Sequence, residues 1–395
     1  MGIHGLNSFL NSTIPDSDGI KTIFVTELTD KVVAVDISIY LYQYSCAIKS
    51  SANEIYNADG EVITHIQAIL SKALGLIRKK IKPVFVFDGK PPELKRNVAD
   101  DRTEKKAKAK QGLKSVNKDI YALEMLLQDE PITIEDIQFH LMTIEKIKVL
   151  QDKKISKLKQ TTSVTRNQMT DCKELLRILG IPVIESATEA DSQCAYLVKN
   201  NLAYCVASED MDILTFGTHK LVRKLSSKNQ CELYNLDIIL EDLDVTYLQF
   251  IDMCILLGCD YTCTIPAVGP KKIYNIIKTY GSIEEFINND EKVKSGKIKI
   301  PSNFDYVGAR REFTNPKVVE IDDLSWSIPN YVMLRSTLLE KYGYALDEID
   351  KLTSMLSEGY YSVISGEKTM TEYKKNCSKY INAKKDMITM DCDDD

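Results

Sequence analysis

The sequence predicts an α/β fold with a central, mostly parallel sheet flanked by helices. Three short apolar runs, rich in β-branched and aromatic residues, are typical of buried parallel strands. They span residues 32–35, 84–87 and 204–207, and carboxylates follow each of them: Asp36, Asp88 and the Glu209-Asp210 pair. Helical patterns at residues 65–80 and 170–179 separate the runs, and this alternation produces parallel sheets.

A long helical insertion interrupts the alternation. Residues 100–159 are rich in Lys and Glu, poor in Gly and broken by Pro131, which predicts helices that lie over the sheet. After Asp260 the chain becomes mostly helical. We therefore divide the chain into two parts of one α/β core at 1–105 and 166–257, an insertion at 106–165, a helical region at 258–350, and a partly helical tail with an acidic end at 351–395.

Composition excludes several classes of protein. With 395 residues, 44% hydrophobic and 27% charged, the chain can bury a core and is not a disordered protein. No run approaches the roughly 20 apolar residues of a membrane span and no signal-peptide pattern opens the chain, so we expect an intracellular protein without a membrane partner. Ten cysteines are scattered, and their one close group, residues 254–263, has neither a Cys-x-x-Cys pair nor a nearby His, which favours reduced thiols over zinc.

Charge is sorted into blocks along the insertion. Residues 90–118 hold ten basic and four acidic residues, residues 119–145 hold seven acids and no Lys or Arg, and residues 146–159 hold six Lys and one acid. A solvated helix face explains any one block. The net charge of −6, taken alone, argues against a nucleic-acid partner, but the distribution of charge matters more than its sum.

Seven carboxylates stand out by their positions near predicted strand ends and helix starts. They are Asp36, Asp88, Glu189, Asp191, Asp210, Asp212 and Asp260. Some have an ordinary structural explanation: Glu189 and Asp191 fall in the first turn of a helix with Thr188 as its expected N-cap, and the pair after residue 207 suits a βα loop.

These explanations leave open why carboxylates recur at the ends of several strands that one sheet brings side by side. Like charges at such short range raise one another's pKa and destabilise the fold unless a cation neutralises them. Carboxylates without His or Cys select Mg²⁺ or Mn²⁺, and this many ligands can hold two ions roughly 4 Å apart. Such a pair suits in-line displacement at a phosphodiester, so we interpret the site as one for metal-dependent phosphoryl chemistry.

Six motifs together carry a family resemblance. They are Met1-Gly-Ile-His-Gly-Leu6, Val33-Ala-Val-Asp36, the run from Val84 to Lys95, Glu189-Ala-Asp191, Ser208-Glu-Asp-Met-Asp212 and Leu257-Gly-Cys-Asp-Tyr261. In this order and spacing the chain resembles the flap endonuclease family of structure-specific 5′ nucleases. The resemblance implies a PIN-like or resolvase-like core, a helical arch over the site, a helix-hairpin-helix region that binds DNA, and two-metal hydrolysis where single and double strands meet.

The resemblance also implies roles for single residues. All seven carboxylates fall on the family's metal-binding acids. Lys95 matches the basic residue that reaches toward the scissile phosphate, and Arg102 matches its electrostatic partner. Gly2 matches a residue that becomes the N-terminus close to the site. Tyr42 matches an aromatic on which a terminal base stacks, although two other tyrosines alternate with it and an ordinary packed tyrosine stays an alternative.

A hairpin between two helices, residues 264–272, matches the family's element that grips the duplex backbone. Its matching residues are Thr264, Gly269, Lys271 and Lys272. Ala267 stands where the family usually has a glycine, which predicts a looser approach of the backbone to phosphate. We expect duplex binding to be kept, with or without a monovalent ion such as K⁺ at the hairpin.

The expected partners follow from the same resemblance. The substrate is DNA with a 5′ flap, a gap or a duplex end, and we expect a monomer with an enlarged arch. No Gln occurs after Gln249 and the chain ends in acids, so the sequence does not support binding to a sliding clamp. No basic targeting cluster decides between the nucleus and a viral DNA replication compartment.

We therefore hold three hypotheses. The first is a 5′ flap endonuclease with 5′-to-3′ exonuclease activity on DNA, in replication, repair or recombination. The second is a 5′-to-3′ exonuclease resembling the exonuclease 1 branch, or an RNA endonuclease with the same chemistry. The third is a DNA-binding scaffold that has lost the chemistry, and the complete acid set argues against it.

Overall fold

The computed structural model describes residues 2–51, 55–57, 59–127, 133–225 and 229–364, without the side chains at 50–51, 97–99 and 358–364. The strands of this part are β1 (Ile20–Phe24), β2 (Val32–Asp36), β3 (Lys82–Phe87), β4 (Val183–Glu185), β5 (Cys205–Ala207), β6 (Lys220–Arg223) and β7 (Gln230–Asn235). The helices are α1 (Leu6–Thr13), α2 (Ile37–Ser51), α3 (Thr64–Ile77), α4 (Arg96–Met125), α5 (Ile134–Thr161), α6 (Arg166–Ile178), α7 (Ala190–Lys199), α8 (Asp212–Thr215), α9 (Leu236–Leu243), α10 (Tyr247–Leu257), α11 (Pro270–Tyr280), α12 (Ile283–Asn289), α13 (Glu291–Lys294), α14 (Tyr306–Thr314), α15 (Tyr331–Ser336) and α16 (Leu346–Ile364). Short 3₁₀ turns occur at Val25–Leu28 and Glu93–Lys95, and a π-helical turn at Thr337–Lys341.

The seven strands form one mixed sheet in the order β1-β7-β6-β5-β2-β3-β4. Neighbours from β6 to β4 are parallel, and β7 pairs antiparallel with both β6 and β1. The three predicted strands are confirmed as β2, β3 and β5, which are adjacent in the order β5-β2-β3. Their carboxyl ends therefore lie side by side at one edge of the sheet.

Both faces of the sheet are buried under helices. In β2, Val33 and Val35 pack into one hydrophobic cluster while Ala34 packs into the other, as the alternation of side chains along a strand requires. The first cluster includes residues of α2, α3, α6, α15 and α16, and the second includes residues of α1, α7, α8, α10 and α14. Because helices occupy both faces, the carboxyl edge is where the sheet opens to solvent.

The predicted helical insertion is confirmed as a hairpin of two long helices. α4 has 30 residues and α5 has 28, and they pack along each other. At 1.5 Å per residue these helices are about 45 and 42 Å long. α5 begins with a capping box in which the Thr133 side chain accepts a hydrogen bond from the backbone N–H of Asp136. Pro131, the predicted break, lies outside the described residues.

Helices α10 to α14 form the helical region that follows the core. Arg310 on α14 holds it together by hydrogen-bonding Asp252 of α10 and Glu284 of α12 at 2.7 to 3.0 Å. No helix of the described part is both long enough and apolar enough to cross a bilayer.

The domain boundaries stay predictions. The boundary at 105/106 lies within α4, those at 165/166 and 257/258 coincide with the start of α6 and the end of α10, and the one at 350/351 lies within α16. The acidic end of the tail lies outside the described residues.

Candidate active site

The carboxyl edge of the sheet brings together acids that are far apart in sequence. Asp36 is the last residue of β2, Asp88 directly follows β3, and Asp210 comes shortly after β5. Glu189 and Asp191 stand at the start of α7, which follows the neighbouring strand β4. Because these four strands are parallel and adjacent, their ends deliver the five side chains to the same place.

A cavity of about 840 Å³ lies at this edge, beneath the arch. Six of the seven predicted acids line it, namely Asp36, Asp88, Glu189, Asp191, Asp210 and Asp260. The seventh, Asp212, is the first residue of α8 and is only 3% exposed. Lys95, Arg102 and Tyr42 line the same cavity. The structure thus gathers the whole predicted acid set and both predicted basic residues.

Hydrogen bonds hold several of these carboxylates in place. The backbone N–H of Ala190 donates to Asp88 Oδ1 at 2.9 Å. The backbone N–H of Asp212 donates to Asp210 Oδ1 at 3.1 Å, which fixes the two acids relative to each other. These donors are backbone groups at helix starts, so the orientation of the carboxylates is set by the fold rather than by exposed side chains.

The predicted N-cap of α7 is wrong by one residue. Glu189 occupies the N-cap position in extended conformation and makes no side-chain capping bond. Its carboxylate instead contacts Lys95 and Tyr261. Thr188 turns away, and its hydroxyl donates to the backbone carbonyl of Lys317 at 3.0 Å. The sequence pattern favours a helix-capping role for an acid at the start of α7. In the structure the Glu189 carboxylate instead belongs to the acidic site.

Burial and mutual repulsion raise the pKa values of three of the acids. Burial, followed by the charge of Asp88, raises the pKa of Asp36 to about 7. Burial and then the neighbouring carboxylates raise the pKa values of Asp191 and Asp212 well above the ordinary value. The physical cause is an excess of negative charge in a desolvated place, which an added cation would relieve.

Two buried oxygens of this cluster have no partner. Oδ1 of Asp191 and Oδ1 of Asp212 accept no hydrogen bond from any residue that the structure describes. A buried acceptor without a donor costs about 1–3 kcal/mol, and a hard divalent cation would satisfy both. In the described ranges, no three His, Cys, Asp or Glu side chains already form a metal-binding group. The donors present, all carboxylate oxygens, nevertheless suit Mg²⁺ or Mn²⁺.

Cations of the chain itself lie among the acids. Lys95 Nζ contacts Glu189 Oε1 and lies 3.3 Å from Asp260 Oδ2, and Arg102 Nη2 lies 2.7 Å from the same Asp260 oxygen. Burial lowers the pKa of Lys95, but the charges of Glu189, Asp260 and Asp191 outweigh it and place the pKa above its ordinary value. The Lys95 ammonium therefore stays charged and holds two acids that a metal site would use.

Tyr261 is a site residue that the sequence reasoning did not single out. Its buried hydroxyl donates to Glu189 Oε2, and its ring lies 5.7 Å from Lys95 Nζ, within cation–π range. The Tyr261 hydroxyl thus holds the carboxylate oxygen of Glu189 that Lys95 does not contact. Its place directly after Asp260 was the available signal, but a lone tyrosine beside an acid does not reveal which carboxylate it contacts.

Gly2 lies against the acids, as predicted. Its φ of +85° belongs to the left-handed region, and a Cβ there would lie 2.6 Å from Asp212 Oδ1 and 2.9 Å from Asp210 Cγ. Real Cβ atoms do not approach that closely, so only glycine fits without moving a carboxylate.

Tyr42 lines the cavity from α2, and its hydroxyl donates to the backbone carbonyl of Lys159 at 3.2 Å. Lys159 belongs to the last turn of α5. The ring is thus positioned at the base of the arch, which is compatible with stacking on a base and also with a packing role. The stacking role stays a prediction.

The hairpin residues lie between α10 and α11 and do not line the acidic cavity. Gly269 is the N-cap of α11, and a Cβ there would meet nothing within 4 Å. Thr264, Lys271 and Lys272 are exposed, and Lys272 Nζ donates to the carbonyl of Ala267 at 2.9 Å. Ala267 has a φ of +68°, so it adopts the left-handed conformation that normally favours glycine. The alanine therefore keeps the turn at the cost of backbone strain.

Comparison with known proteins agrees with this geometry. Two family models match the chain: the XPG N-terminal domain over residues 1–109 and the XPG I-region over residues 180–260. Flap endonuclease 1 of Plasmodium vivax is 37% identical over 364 residues, covering 87% of this chain and 53% of that protein. Flap endonuclease 1 of Danio rerio is 35% identical over 336 residues, covering 84% of this chain and 80% of that protein. The chain belongs to the flap endonuclease family.

Membership of the flap endonuclease family confirms the predicted fold class. The catalytic core of Rad2, solved in complex with DNA substrate, has the same fold with a TM-score of 0.64 at 24% identity, covering 90% of this chain and 100% of that one. The chain spans about half the length of the Plasmodium relative. Flap endonucleases are generally metal-dependent nucleases. In this family member the seven predicted carboxylates lie at the acidic cavity described above.

Proposed function

We propose that this chain is a structure-specific 5′ flap endonuclease with 5′-to-3′ exonuclease activity that hydrolyses DNA phosphodiesters with two Mg²⁺ ions, Mn²⁺ being the alternative ion. One observation carries the proposal: carboxylates that end β2, that follow β3, β5 and α10, or that stand at the starts of α7 and α8 converge at one cavity, and two buried oxygens of this cluster lack partners. A scaffold without chemistry has no reason to maintain such an unfavourable cluster.

Seven side chains would hold the ions: Asp36, Asp88, Glu189, Asp191, Asp210, Asp212 and Asp260. Bound divalent ions supply a polarised phosphate and a water of lowered pKa, so that hydroxide is available near neutral pH. The chain contributes ligands that the backbone N–H groups of Ala190 and Asp212 already orient. Little reorganisation is then needed when substrate enters.

Lys95 and Arg102 act on the phosphate in this proposal. Both now contact Asp260, and Lys95 also contacts Glu189. With these acids neutralised by bound cations, Lys95 and Arg102 would be free to donate their N–H groups to the phosphate oxygens, where negative charge develops in the transition state. Both project into the cavity from the segment that starts the arch, so a strand under the arch passes directly beside them.

Substrate position follows from the elements around the cavity. Tyr42 offers a ring at the base of the arch for a terminal base, and the exposed Lys271 and Lys272 of the hairpin suit phosphates of the duplex. We propose that a 5′ flap passes the cavity while the hairpin holds the duplex. We also propose that the enzyme acts as a monomer. Residues 250–395 contain no Gln-led peptide, so we propose that this part of the chain does not bind a sliding clamp.

Substitution of Asp210 by Asn tests the proposal. Asp210→Asn keeps the size of the side chain and removes its charge, so DNA binding should persist while cleavage falls by at least about a hundredfold. The matched control is Asp322→Asn, because Asp322 is exposed and does not line the cavity. Cleavage of end-labelled 5′ flap, blunt duplex and folded RNA is measured against Mg²⁺ concentration, and binding by fluorescence anisotropy.

The product lengths distinguish the hypotheses. Flap endonuclease activity releases the flap as one fragment, whereas exonuclease activity on the blunt duplex releases short products from the 5′ end. Unchanged cleavage by Asp210→Asn in Mg²⁺ contradicts the metal assignment. A wide preference for folded RNA contradicts the DNA assignment, and no cleavage of any substrate by the unaltered chain at saturating Mg²⁺ supports the scaffold hypothesis.

A further inference from the structure

A segment without helix or strand connects α14 to α15 and lies along α7. It comprises residues 315–330, which we call the strap. A segment of this kind must satisfy its backbone N–H and C=O groups through water or through the rest of the chain. Ile321, Leu324 and Trp326 of the strap pack against the hydrophobic cluster that includes α7. The strap is therefore a packed element of the fold and not a free surface loop.

The second half of the strap is fixed near the amino ends of the strands. The backbone N–H of Ser327 donates to the carbonyl of Gly180 at 2.9 Å, and Trp326 Nε1 donates to the carbonyl of Pro83 at 2.9 Å. Pro83 lies near the start of β3, at the opposite end from Asp88. Gly180 has a φ of +70°, and a Cβ there would overlap the carbonyl oxygen of Ser327. This end of the strap thus has one close-fitting position on the core.

The first half of the strap is bonded on both sides of the acid pair that starts α7. Thr188 directly precedes the first of these acids, and its hydroxyl donates to the carbonyl of Lys317 at 3.0 Å. Gln193 follows the second acid by two residues and bonds Val319 twice. Its Nε2 donates to the Val319 carbonyl at 2.8 Å, and its Oε1 accepts from the Val319 N–H at 2.7 Å. Three hydrogen bonds therefore bracket the two acids.

Gln193 is completely buried, with an exposed fraction of 0%. The other buried side chains of α7 are mostly apolar, and an apolar side chain at this position would avoid the cost of desolvating an amide. Hydrogen bonds differ from apolar packing because they are directional. Two bonds to the backbone of one residue fix both the distance and the register between α7 and the strap. The buried amide is thus explained by position and not by packing alone.

The first turn of α7 is weakly closed by its own backbone. The N–H of Gln193 donates to the carbonyl of Glu189 at 3.4 Å, which is longer than the usual range of about 2.7–3.2 Å. The same turn carries Asp191, whose Oδ1 is one of the two buried oxygens without a partner. Because the internal bond is long, contacts from outside the helix have more influence on where these acids lie.

We propose that Gln193 is a positioning residue for the metal site, which holds Glu189 and Asp191 in place by fixing the first turn of α7 to the strap. This inference rests on the proposed function, in which both acids bind divalent ions. Removal of a group that orients a metal ligand typically costs about 10- to 100-fold in metal affinity. Gln193 acts through the backbone of α7, one step further from the ion, so we expect the lower end of that range.

Binding of Mn²⁺ alone to the full chain, without DNA, tests the proposal. Gln193→Met keeps the length of the side chain and removes both hydrogen bonds to the strap. The matched control is Trp326→Phe, which removes the hydrogen bond to Pro83 at the other end of the same strap. Free Mn²⁺ is measured by electron paramagnetic resonance and stability by urea unfolding. Single-turnover cleavage of a 5′ flap is followed against Mg²⁺ concentration.

Gln193→Met should raise the Mn²⁺ dissociation constant about tenfold, and the Mg²⁺ concentration for half-maximal cleavage by a similar factor. Trp326→Phe should leave both values within about twofold, whatever stability it loses. Thr188→Val removes the other contact beside the acids at a partly exposed position, and it should raise the Mn²⁺ dissociation constant about threefold.

An unchanged Mn²⁺ dissociation constant in Gln193→Met overturns the proposal, as does an unchanged value in Thr188→Val where Gln193→Met does not fold. Equal weakening by Trp326→Phe also overturns it, because a general loosening of the strap then explains the effect. If the unaltered chain binds no Mn²⁺, the proposed function fails and this inference fails with it. Normal binding by the unaltered chain and by Gln193→Met contradicts the inference alone.

Discussion

Gly2 offers the sharpest test of how the fold positions the acids. A Cβ at this position would lie 2.6 Å from Asp212 Oδ1 and 2.9 Å from Asp210 Cγ, with Asp210 Oδ1 closer still. Gly2→Ala therefore leaves every carboxylate in the sequence and displaces two of them. Since the backbone N–H of Asp212 holds Asp210 Oδ1 and both side chains are buried, the displacement cannot be absorbed by a simple rotation of an exposed side chain.

Two separate costs can be estimated for Gly2→Ala. While Met1 is retained, the φ of +85° at position 2 costs an alanine about 1–2 kcal/mol of stability. To reach an ordinary van der Waals contact, the carboxylates of Asp210 and Asp212 must move by about 1 Å, and a misplacement of that size costs about a hundredfold in rate. The cleavage rate should therefore fall far more than the loss of folded protein explains.

Gly5→Ala is the matched control, because Gly5 has a φ of +66° and a Cβ there would meet nothing within 4 Å. It should lose similar stability and keep the cleavage rate within about threefold, since no ligand moves. Single-turnover cleavage of a 5′ flap at saturating Mg²⁺, together with urea unfolding, separates the two costs. If Gly2→Ala cleaves at the rate of Gly5→Ala, Gly2 does not position the acids and the reasoning is refuted.

Three further substitutions test the supporting structure by urea unfolding. Arg310→Ala should cost about 3–5 kcal/mol, because it leaves a carboxylate that is 3% exposed without its bidentate partner; a loss below about 1 kcal/mol contradicts this. Ala267→Gly should stabilise the chain by about 1 kcal/mol by relieving a φ of +68°, and an unchanged or lower stability contradicts the strain. Burial lowers the pKa of His65 below 6.5 despite its bond to Asp171, and the charge of Lys341 adds to the lowering. The folded state then binds fewer protons than the unfolded state, so stability should rise as the pH increases toward 6.5, and His65→Gln should flatten that rise.

The fold could be predicted where local pattern and tertiary structure agree. β2, β3 and β5 are apolar runs buried on both faces, and the helices between them show the matching period, so their existence followed from the sequence. The antiparallel edge formed by β1, β6 and β7 was not predicted. β1 pairs with the distant β7, and short segments such as β6 do not reveal their partners.

The site could be predicted as a set of residue types but not as a set of contacts. Acids at adjacent strand ends must converge once the sheet forms, and this reasoning placed Asp36, Asp88 and Asp210 together. The family resemblance supplied the complete set, including Asp260, which follows a helix. The contacts of Glu189 with Lys95 and Tyr261 depend on how three separate segments of the chain pack together. No local sequence spacing predicts that packing. The left-handed conformation of Ala267 was not predicted either, because the sequence shows only that alanine replaces the glycine usual in the family.

The contacts of Lys95 connect stability with catalysis. A cluster of buried carboxylates destabilises a fold unless cations accompany it, and in this structure Lys95 and Arg102 supply positive charge to Glu189 and Asp260. Those are also the side chains that a phosphate would attract. Divalent ions would bind the acids and a phosphate would bind Lys95 and Arg102, so metal and phosphate would take opposite partners of the same ion pairs. The ion pairs of Lys95 and Arg102 thus account for a fold in which the acids are already gathered.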